Sequence, residues 1–400
     1  MILAKYLIGD LCSFSKGASI PRDRMHEKEG FLYLHYGDLY AGHNLYVDVE
    51  NPEKKLPRVD CSEKIRPDQF VDDGDIIYVL TSETVDDLGH AFCINNPNHK
   101  RIVAGTETTV MRVNRRDVVD PRYLNYILQT PLFLHKLRQY VTGMKVFRVH
   151  SRDISRIEVN LPPLDQQLKV IGLLDAIYFK LRLNSRINDH LLELANAMFD
   201  RSIEAGSCVI PLGKIIQLED ALRIPLNRQQ REQRRGVYPY YGAASIMDYV
   251  NDYLFDGVRL LLGEDGTVST DGGYPMLQYV WGKYWVNNHA HVIRSSSTYS
   301  LETIYLALRK TPIAPATTGA VQKKISQTNL KKLMVKMPTS FDDDKCSTIF
   351  AEMRSIIDET ERLESLRDTL LPKLMSGEID VSQGDLTQLN GHLFENSIRS

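Results

Sequence analysis

The run "LDQQLKVIGLLDAIYFKLRLNSRINDHLLELANAMF", residues 164–199, constrains this chain more than any other stretch, because it reads as one helix of 36 residues. Leu174, Ile177, Leu181, Asn184, Asn188, Leu191, Ala195 and Met198 alternate steps of three and four, the stripe that a helix buries against a second helix. Such a rod would be about 54 Å long, where an ordinary globular helix has about 11 or 12 residues. A copy lies near the end, in "STIFAEMRSIIDETERLESLRDTLLPKLMSG". Adding 179 to each stripe position gives Met353, Ile356, Thr360, Leu363, Arg367, Leu370, Leu374 and Gly377, six of them apolar or small and none out of phase.

What precedes each rod is repeated as well. In residues 1–160, "FLYLHYGDL", "GDIIYVLT", "AFCIN" and "TTVMRV" are strand-like and "PRYLNYILQTPLFLHKLRQY" reads as a helix. In residues 207–338, "CVIPLGKII" opens, "GVRLLLGED", "MLQYVW" and "AHVIRS" are strand-like, and "LETIYLALRK" is helical. The closing segments align without a gap at an offset of 176. Thr142 and Gly143 fall on Thr318 and Gly319; Ile154, Ile157, Val159 and Leu161 fall on Leu330, Leu333, Val335 and Met337. Pro162, Pro163 and Pro338 stop the strands. Asp165 in one copy, and Thr339 or Ser340 with Asp342, Asp343 and Asp344 in the other, supply acceptors for the amides of a helix start. Gly206 and Gly377 are stops, and Pro372 predicts a kink or the end of regular helix near Leu371. The expected fold class is α+β. A mixed α/β head spans 1–162, a rod 163–206, a second head 207–338 and a second rod 339–382, with a tail over 383–400.

A length of 400 residues, 43% hydrophobic and 25% charged, is ordinary for a soluble globular chain of two or three domains. Cys12, Cys61, Cys93, Cys208 and Cys346 stand singly, which supports neither a disulfide framework nor a zinc knuckle. Asp10 interrupts the opening apolar run, and no run approaches the roughly 18 residues that span a bilayer, so a cytoplasmic protein with no membrane partner is expected. The net charge of −2 conceals an asymmetry. Residues 206–338 hold 16 Lys and Arg against 10 Asp and Glu, while residues 339–400 hold 6 against 13.

Four further stretches carry a likeness: "VNLPPLDQQ" entering the first rod, "YPYYGAASIMDYVNDYLFDGVRLLLGEDG" in the second head, "TTGAVQKKISQTNLKKLMVKMP" closing it, and "LLPKLMSGEIDVS" ending the second rod. With the head, rod, head, rod order, they make the chain closely resemble the specificity (S) subunits of type I restriction-modification enzymes, to about residue 382. The resemblance implies two target-recognition domains and two long spacer helices packed as an antiparallel coiled coil, the halves related by a pseudo-twofold axis. It implies a non-catalytic, prokaryotic subunit that chooses the DNA sequence. Two modification (methyltransferase) subunits would carry S-adenosylmethionine and methylate adenine, and restriction/translocase subunits would use ATP and Mg. Unlike heads on such a frame predict a bipartite, non-palindromic site in double-stranded DNA. A rod longer than the roughly 34 Å turn of B-DNA predicts a ruler for the unread spacer.

Candidate DNA contacts follow from residue chemistry. Lys136, Arg138, Lys145, Arg148, Arg152 and Arg156 share their stretch with one acid, Asp153; Arg309, Lys310, Lys323, Lys324, Lys331, Lys332 and Lys336 share theirs with none. Such groups neutralise phosphates and release counterions. Paired donors and acceptors for base edges point to Arg148, His150, Asn287, Asn288 and Gln322, with Tyr240 and Tyr241 as groove-lining aromatics. Gly17, beside Arg22 and Arg24, marks an early loop, where the family's pattern also places DNA-facing loops. Arg228, Arg231, Arg234 and Arg235 form a basic run that reads either as an arm ordering on DNA or as a solvated loop.

Catalytic constellations are missing: there is no Gly-rich phosphate loop and no glycine fingerprint for a cofactor, so no catalytic residue, metal ligand or cofactor of its own is expected. "GEDG" at 263–266 reads as a turn, and His289 and His291 as core histidines for lack of a third ligand. Asn184 and Asn188 on the apolar stripe read as residues that fix register and partner. A coiled-coil adaptor with protein-binding heads would explain the rods but not the acid-free basic stretches.

Overall fold

The computed structural model describes residues 3–40, 43–51, 54–319 and 322–381, so the tail expected over 383–400 lies outside the described residues. The chain divides into two compact units, Met1–Lys180 with Leu363–Ser400, and Leu181–Arg362. Both boundaries fall inside long helices, Leu164–Ala205 and Asp343–Ser376.

In the first unit a five-stranded sheet runs in the order Cys12–Lys16, Thr109–Val113, Ile76–Tyr78, Ala91–Asn95, Tyr46–Asp48. A four-stranded sheet runs Arg58–Val59, Phe31–Leu34, Ile102–Ala104, Phe70–Val71. Their apolar faces share a core of Leu32, Leu34, Val47, Ile77, Phe92, Ile94 and Val110. The stretch expected as one helix after Asp120 is two, Pro121–Leu128 and Pro131–Arg138. Pro131 holds Thr130 extended at φ −68° and ψ 144°, and the Thr130 hydroxyl accepts the Phe133 amide, so the second helix restarts with its own cap.

The second unit repeats the plan with fewer strands. One sheet runs Ile216–Leu218, Ala290–Ser295, Arg259–Gly263, Leu277–Val280; the other runs Ile246–Val250, Arg235–Tyr241, Lys283–Val286, Phe255–Asp256. The helix Leu301–Arg309 buries Ile304, Leu306 and Leu308 in a core that also takes Phe199 and Phe350 from the long helices.

Each head is closed by a two-stranded antiparallel ribbon made of its first and last strands. Ala4–Leu7 pairs with Glu158–Leu161, with Ala4 opposite Leu161; Ser207–Pro211 pairs with Met334–Pro338, with Ser207 opposite Pro338. The chain thus leaves each head where it entered, and a long helix begins a few residues later.

The start of each long helix is bonded to the cap of a head helix. In the first unit the fully buried Gln167 donates to Val118 O and Pro162 O, each at 2.8 Å, and accepts the Asp120 amide at 3.0 Å. Asp120 caps Pro121–Leu128. In the second, Asp342 caps Asp343–Ser376 by accepting the Lys345 amide, as expected of this acidic run. Asp343 accepts the amide of Ser300 at 2.7 Å and the hydroxyl of Thr303 at 2.6 Å, and Ser300 caps Leu301–Arg309. Different residues make the same joint in both units.

The helix seams follow the sequence pattern. In the first unit Leu174 and Ile177 are buried, and so are Leu370 and Leu374 on the second helix, with Leu363 half-buried. Each buried aliphatic side chain contributes roughly 1.5–3 kcal/mol. In the second unit Asn184 and Ile356 are buried, and Leu181, Asn188, Leu191 and Met353 are half-buried. There Asn184 Nδ2 donates to Glu359 Oε2 at 2.9 Å and to Thr360 Oγ1 at 3.2 Å, while Phe199 meets Phe341 edge-on at 6.0 Å. Rising numbers on one helix meet falling numbers on the other, so the pair is antiparallel. The first helix has 42 residues and ends at Ala205, just before Gly206. The second does not end near Leu371: it carries Pro372 inside and runs to Ser376, where Gly377, at φ 77°, donates to Leu374 O. The missing proline N–H removes only one ladder bond, which the flanking turns outlast.

Candidate nucleic-acid interface

The aligned Thr-Gly pairs build the same hairpin in both units. Thr142 and Arg148 exchange backbone bonds of 2.9 and 2.8 Å, and the Thr142 hydroxyl also donates to Arg148 O. In the second unit Thr318 pairs with Lys324, and its hydroxyl again donates to that residue's carbonyl, at 3.1 Å. Gly143 and Gly319 sit at φ 110° and 90°, and a Cβ on either would lie 2.0 or 2.2 Å from the carbonyl of Val146 or Gln322. Only glycine fits that turn. Lys145, Arg148, Gln322, Lys323 and Lys324 are exposed on the hairpins. Among the described residues Lys145, Arg148 and Lys323 make no ion pair, whereas Lys324 lies 3.5 Å from Glu264.

In the first unit the hairpin's foot opens on a cleft of about 620 Å³ that brings Arg148 and His150 beside Lys16, Gly17, Arg66 and Thr81. Gly17 is needed there because a Cβ would lie 1.9 Å from Gly105 O. Sequence reasoning missed Lys16 and Arg66, which only the strand pairing brings to Arg148; the adjacency of Lys16 to Gly17 was the one available hint. A neighbouring opening, sharing Ser19, is lined by Arg24 and Lys64. Arg22 and Arg24 lie exposed on a single helical turn, with Arg24 3.3 Å from Glu63. Arg152 is exposed and shares Asp153 with Arg156 at 3.8 and 3.9 Å. Exposed pairs of this kind contribute at most about 1 kcal/mol and leave the cations free to exchange partners.

Under the second unit's hairpin lies a buried ionic cluster. His291, with no exposure, meets the Asp220 carboxylate through Nδ1 at 2.6 Å and the Ile325 carbonyl through Nε2 at 2.8 Å. Asp220 also accepts the Val292 amide and the Gln327 side chain, both within 2.8 Å. Arg223 joins Glu264 at 2.9 Å. Burial alone would raise the Asp220 carboxyl, but the His291 bond and charge, the Val292 amide and Arg223 outweigh it and hold it below the usual carboxylate range. Oxygen and nitrogen atoms of Asp220, Glu264 and His291 lie within 4.8 Å of one another, a spacing that a metal could use. Both ring nitrogens of His291 are already bonded, and Arg223 and Lys324 balance Glu264, so the cluster is complete as an ionic anchor. His289, in contrast, is half exposed and pairs with Asp265 on the turn.

Four expected contacts need restating. Tyr240 is 1% exposed, and its hydroxyl exchanges bonds with the Leu226 amide and carbonyl, so it lines no groove. Tyr241 is half-buried edge-on against Tyr284. Asn287 is buried, its Oδ1 accepting the His289 amide and its Nδ2 facing Met247 Sδ, so both ends serve the turn; Asn288 beside it is exposed. Arg228–Gln233 is already a short helix, capped by Asn227, with Arg231 bonded to Asp248 at 3.1 Å. Arg234 of that same basic run lies over the Trp285 ring, and Lys283, which the sequence did not single out, lies over Tyr253.

Residues 209–365, which include this hairpin and cluster, match the family model of the type I restriction modification DNA specificity domain. The matched stretch covers most of the second head and the first part of the second long helix. A putative type I restriction enzyme specificity subunit of Haemophilus influenzae is 30% identical over 128 residues, 32% of this chain and 32% of that protein. The match thus spans about a third of that relative's length. The crystal structure of a type I restriction-modification S subunit from M. genitalium has the same fold over 93% of this chain and 96% of its own, with a TM-score of 0.64 at 14% identity. Among the described residues no helix is long and apolar enough to cross a membrane. The matched stretch therefore carries the second Thr-Gly hairpin, and the first head carries its counterpart.

Proposed function

We propose that the chain is the DNA sequence-recognition subunit of a type I restriction-modification complex. Each head reads one half of a bipartite, asymmetric site. The long helices set the unread spacer and dock two modification subunits, which with the restriction/translocase subunits hold the S-adenosylmethionine, ATP and Mg chemistry. The chain itself is non-catalytic. The observation that carries this reading is the Thr-Gly hairpin at the same place in both heads, presenting exposed cations of which Lys145, Arg148 and Lys323 have no carboxylate partner among the described residues. Lys145, Arg148, Arg152, Arg22, Arg24, Lys323 and Lys324 take phosphates; Arg148, His150, Asn288 and Gln322 reach base edges, since each offers hydrogen-bonding groups at the surface.

Gel-shift titration of the full chain with its modification subunits, at several salt concentrations, tests the reading. Lys145→Ala and Lys323→Ala each flatten the dependence of log affinity on log salt by about one unit and weaken all sequences alike. An adaptor for proteins would give no sequence-dependent retardation and no salt slope, and that result would sink the proposal. Methyl transfer by the purified chain alone would overturn its non-catalytic part.

A further inference from the structure

Met144 stands at the tip of the first hairpin and is 94% exposed, and Val146 two residues on is 43% exposed. The hairpin beneath it is stiff: Gly143 is held at φ 110°, and the Thr142 and Arg148 backbones exchange two bonds. An unbranched apolar side chain is thus carried on a short, bonded stem, flanked by Lys145 and Arg148, which among the described residues have no ion-pair partner. Burial inside this chain does not explain it, since nothing among the described residues covers it. A protein partner would be expected to meet it with apolar surface, but the flanking charge suits a polyanion. Duplex DNA presents both complements at once, phosphates on the outside and apolar base faces between steps. Methionine has three rotatable bonds and a polarisable sulfur, which suits it to an irregular gap between stacked rings. At position 320, aligned with Met144, the sequence has alanine, so the feature belongs to one head.

We infer that Met144 is an apolar wedge that inserts between two base steps of the half-site read by the first head, unstacking them while Lys145 and Arg148 hold the flanking phosphates. The inference rests on the DNA-reading function proposed above. It makes Met144 a specificity-determining residue, because steps that unstack easily, such as pyrimidine–purine steps, accept the wedge at lower cost than stiff ones.

The test uses the full chain assembled with its modification subunits, and duplexes carrying 2-aminopurine at each adenine of the first half-site in turn. Binding should raise fluorescence at the wedged step. Met144→Ala should abolish that rise and weaken specific binding roughly tenfold, the size of one good base contact, with an unchanged salt slope. Met144→Leu should restore the rise. Fluorescence from a base flipped by a methyltransferase subunit would persist in Met144→Ala, which separates the two sources. Sequence-specific binding with no Met144-dependent signal at any position overturns the wedge and leaves the DNA-reading function standing. Failure of the Met144→Ala chain to assemble with its subunits also overturns it, in favour of a protein contact. Absence of specific binding by the unaltered complex overturns the function itself.

Discussion

Asp220 accepts donors on both carboxylate oxygens, from the Val292 amide, His291 and Gln327, and through His291 it reaches the carbonyl of Ile325 at the foot of the second hairpin. Removing it leaves a fully buried imidazole with one side unanswered. Asp220→Ala should therefore destabilise the protein by about 3–5 kcal/mol, read from denaturant midpoints. The sign of its pH effect follows from the lowered folded-state pKa. The ionised carboxylate stabilises the fold above the unfolded value of about 3.9, and the contribution fades as pH falls through the lower folded value. Asp220→Asn should flatten acid unfolding in that window, and an acid limb identical to that of the unaltered chain would contradict the assignment. At this scale the sequence was legible where a residue type has one use. Thr142-Gly143 and Thr318-Gly319 stood out as an aligned repeat, and the turn that explains it is one whose backbone only glycine takes. Tyr240 and Asn287 did not reveal themselves, since composition shows what a side chain can bond but not whether its bonds are already spent indoors.

Among the elements, the long helices were readable because their stripe repeats over many turns, while short strands in the heads depend on partners far away in sequence. The break at Pro131 was overlooked because apolar periodicity continues across it. Asn184 is the informative exception on the seam: it is fully buried, its Nδ2 has two partners across the helix pair, and its Oδ1 has none among the described residues. A half-satisfied polar group lowers stability and disfavours other registers, in which both of its ends would go unmet. Asn184→Leu should raise the thermal midpoint by a few degrees and at the same time admit shifted pairings. A cysteine pair placed at Asn188 and Ile356, which face each other only in the native register, would report them as a loss of crosslinked yield. A lower midpoint, or one register only, would show that the asparagine does not specify pairing.

For the whole molecule, the repeat implies that heads are exchangeable parts. Replacing residues 207–338 with the second head of another family member should change one half of the methylated motif, as read by methylome sequencing, and a change in both halves would refute independent reading. The joint restricts which grafts succeed. Asp343 stays behind with the helix, so the newcomer must present a backbone amide and a hydroxyl where Ser300 and Thr303 stood, bonded at 2.7 and 2.6 Å. The order of head, rod, head, rod could be seen in the sequence from phase alone, but the joints could not, because Gln167 and Asp343 differ in kind and share only their geometry. The closing ribbons have a mechanical consequence. Tension carried by the long helices enters the second head at Ser207 and leaves at Pro338, residues that face each other at the ribbon's end. Load in that direction opens the ribbon like a zipper, one cross-strand pair at a time, instead of shearing all pairs together. In an optical trap each head should yield at low force in a single step, with the ribbon as its fuse.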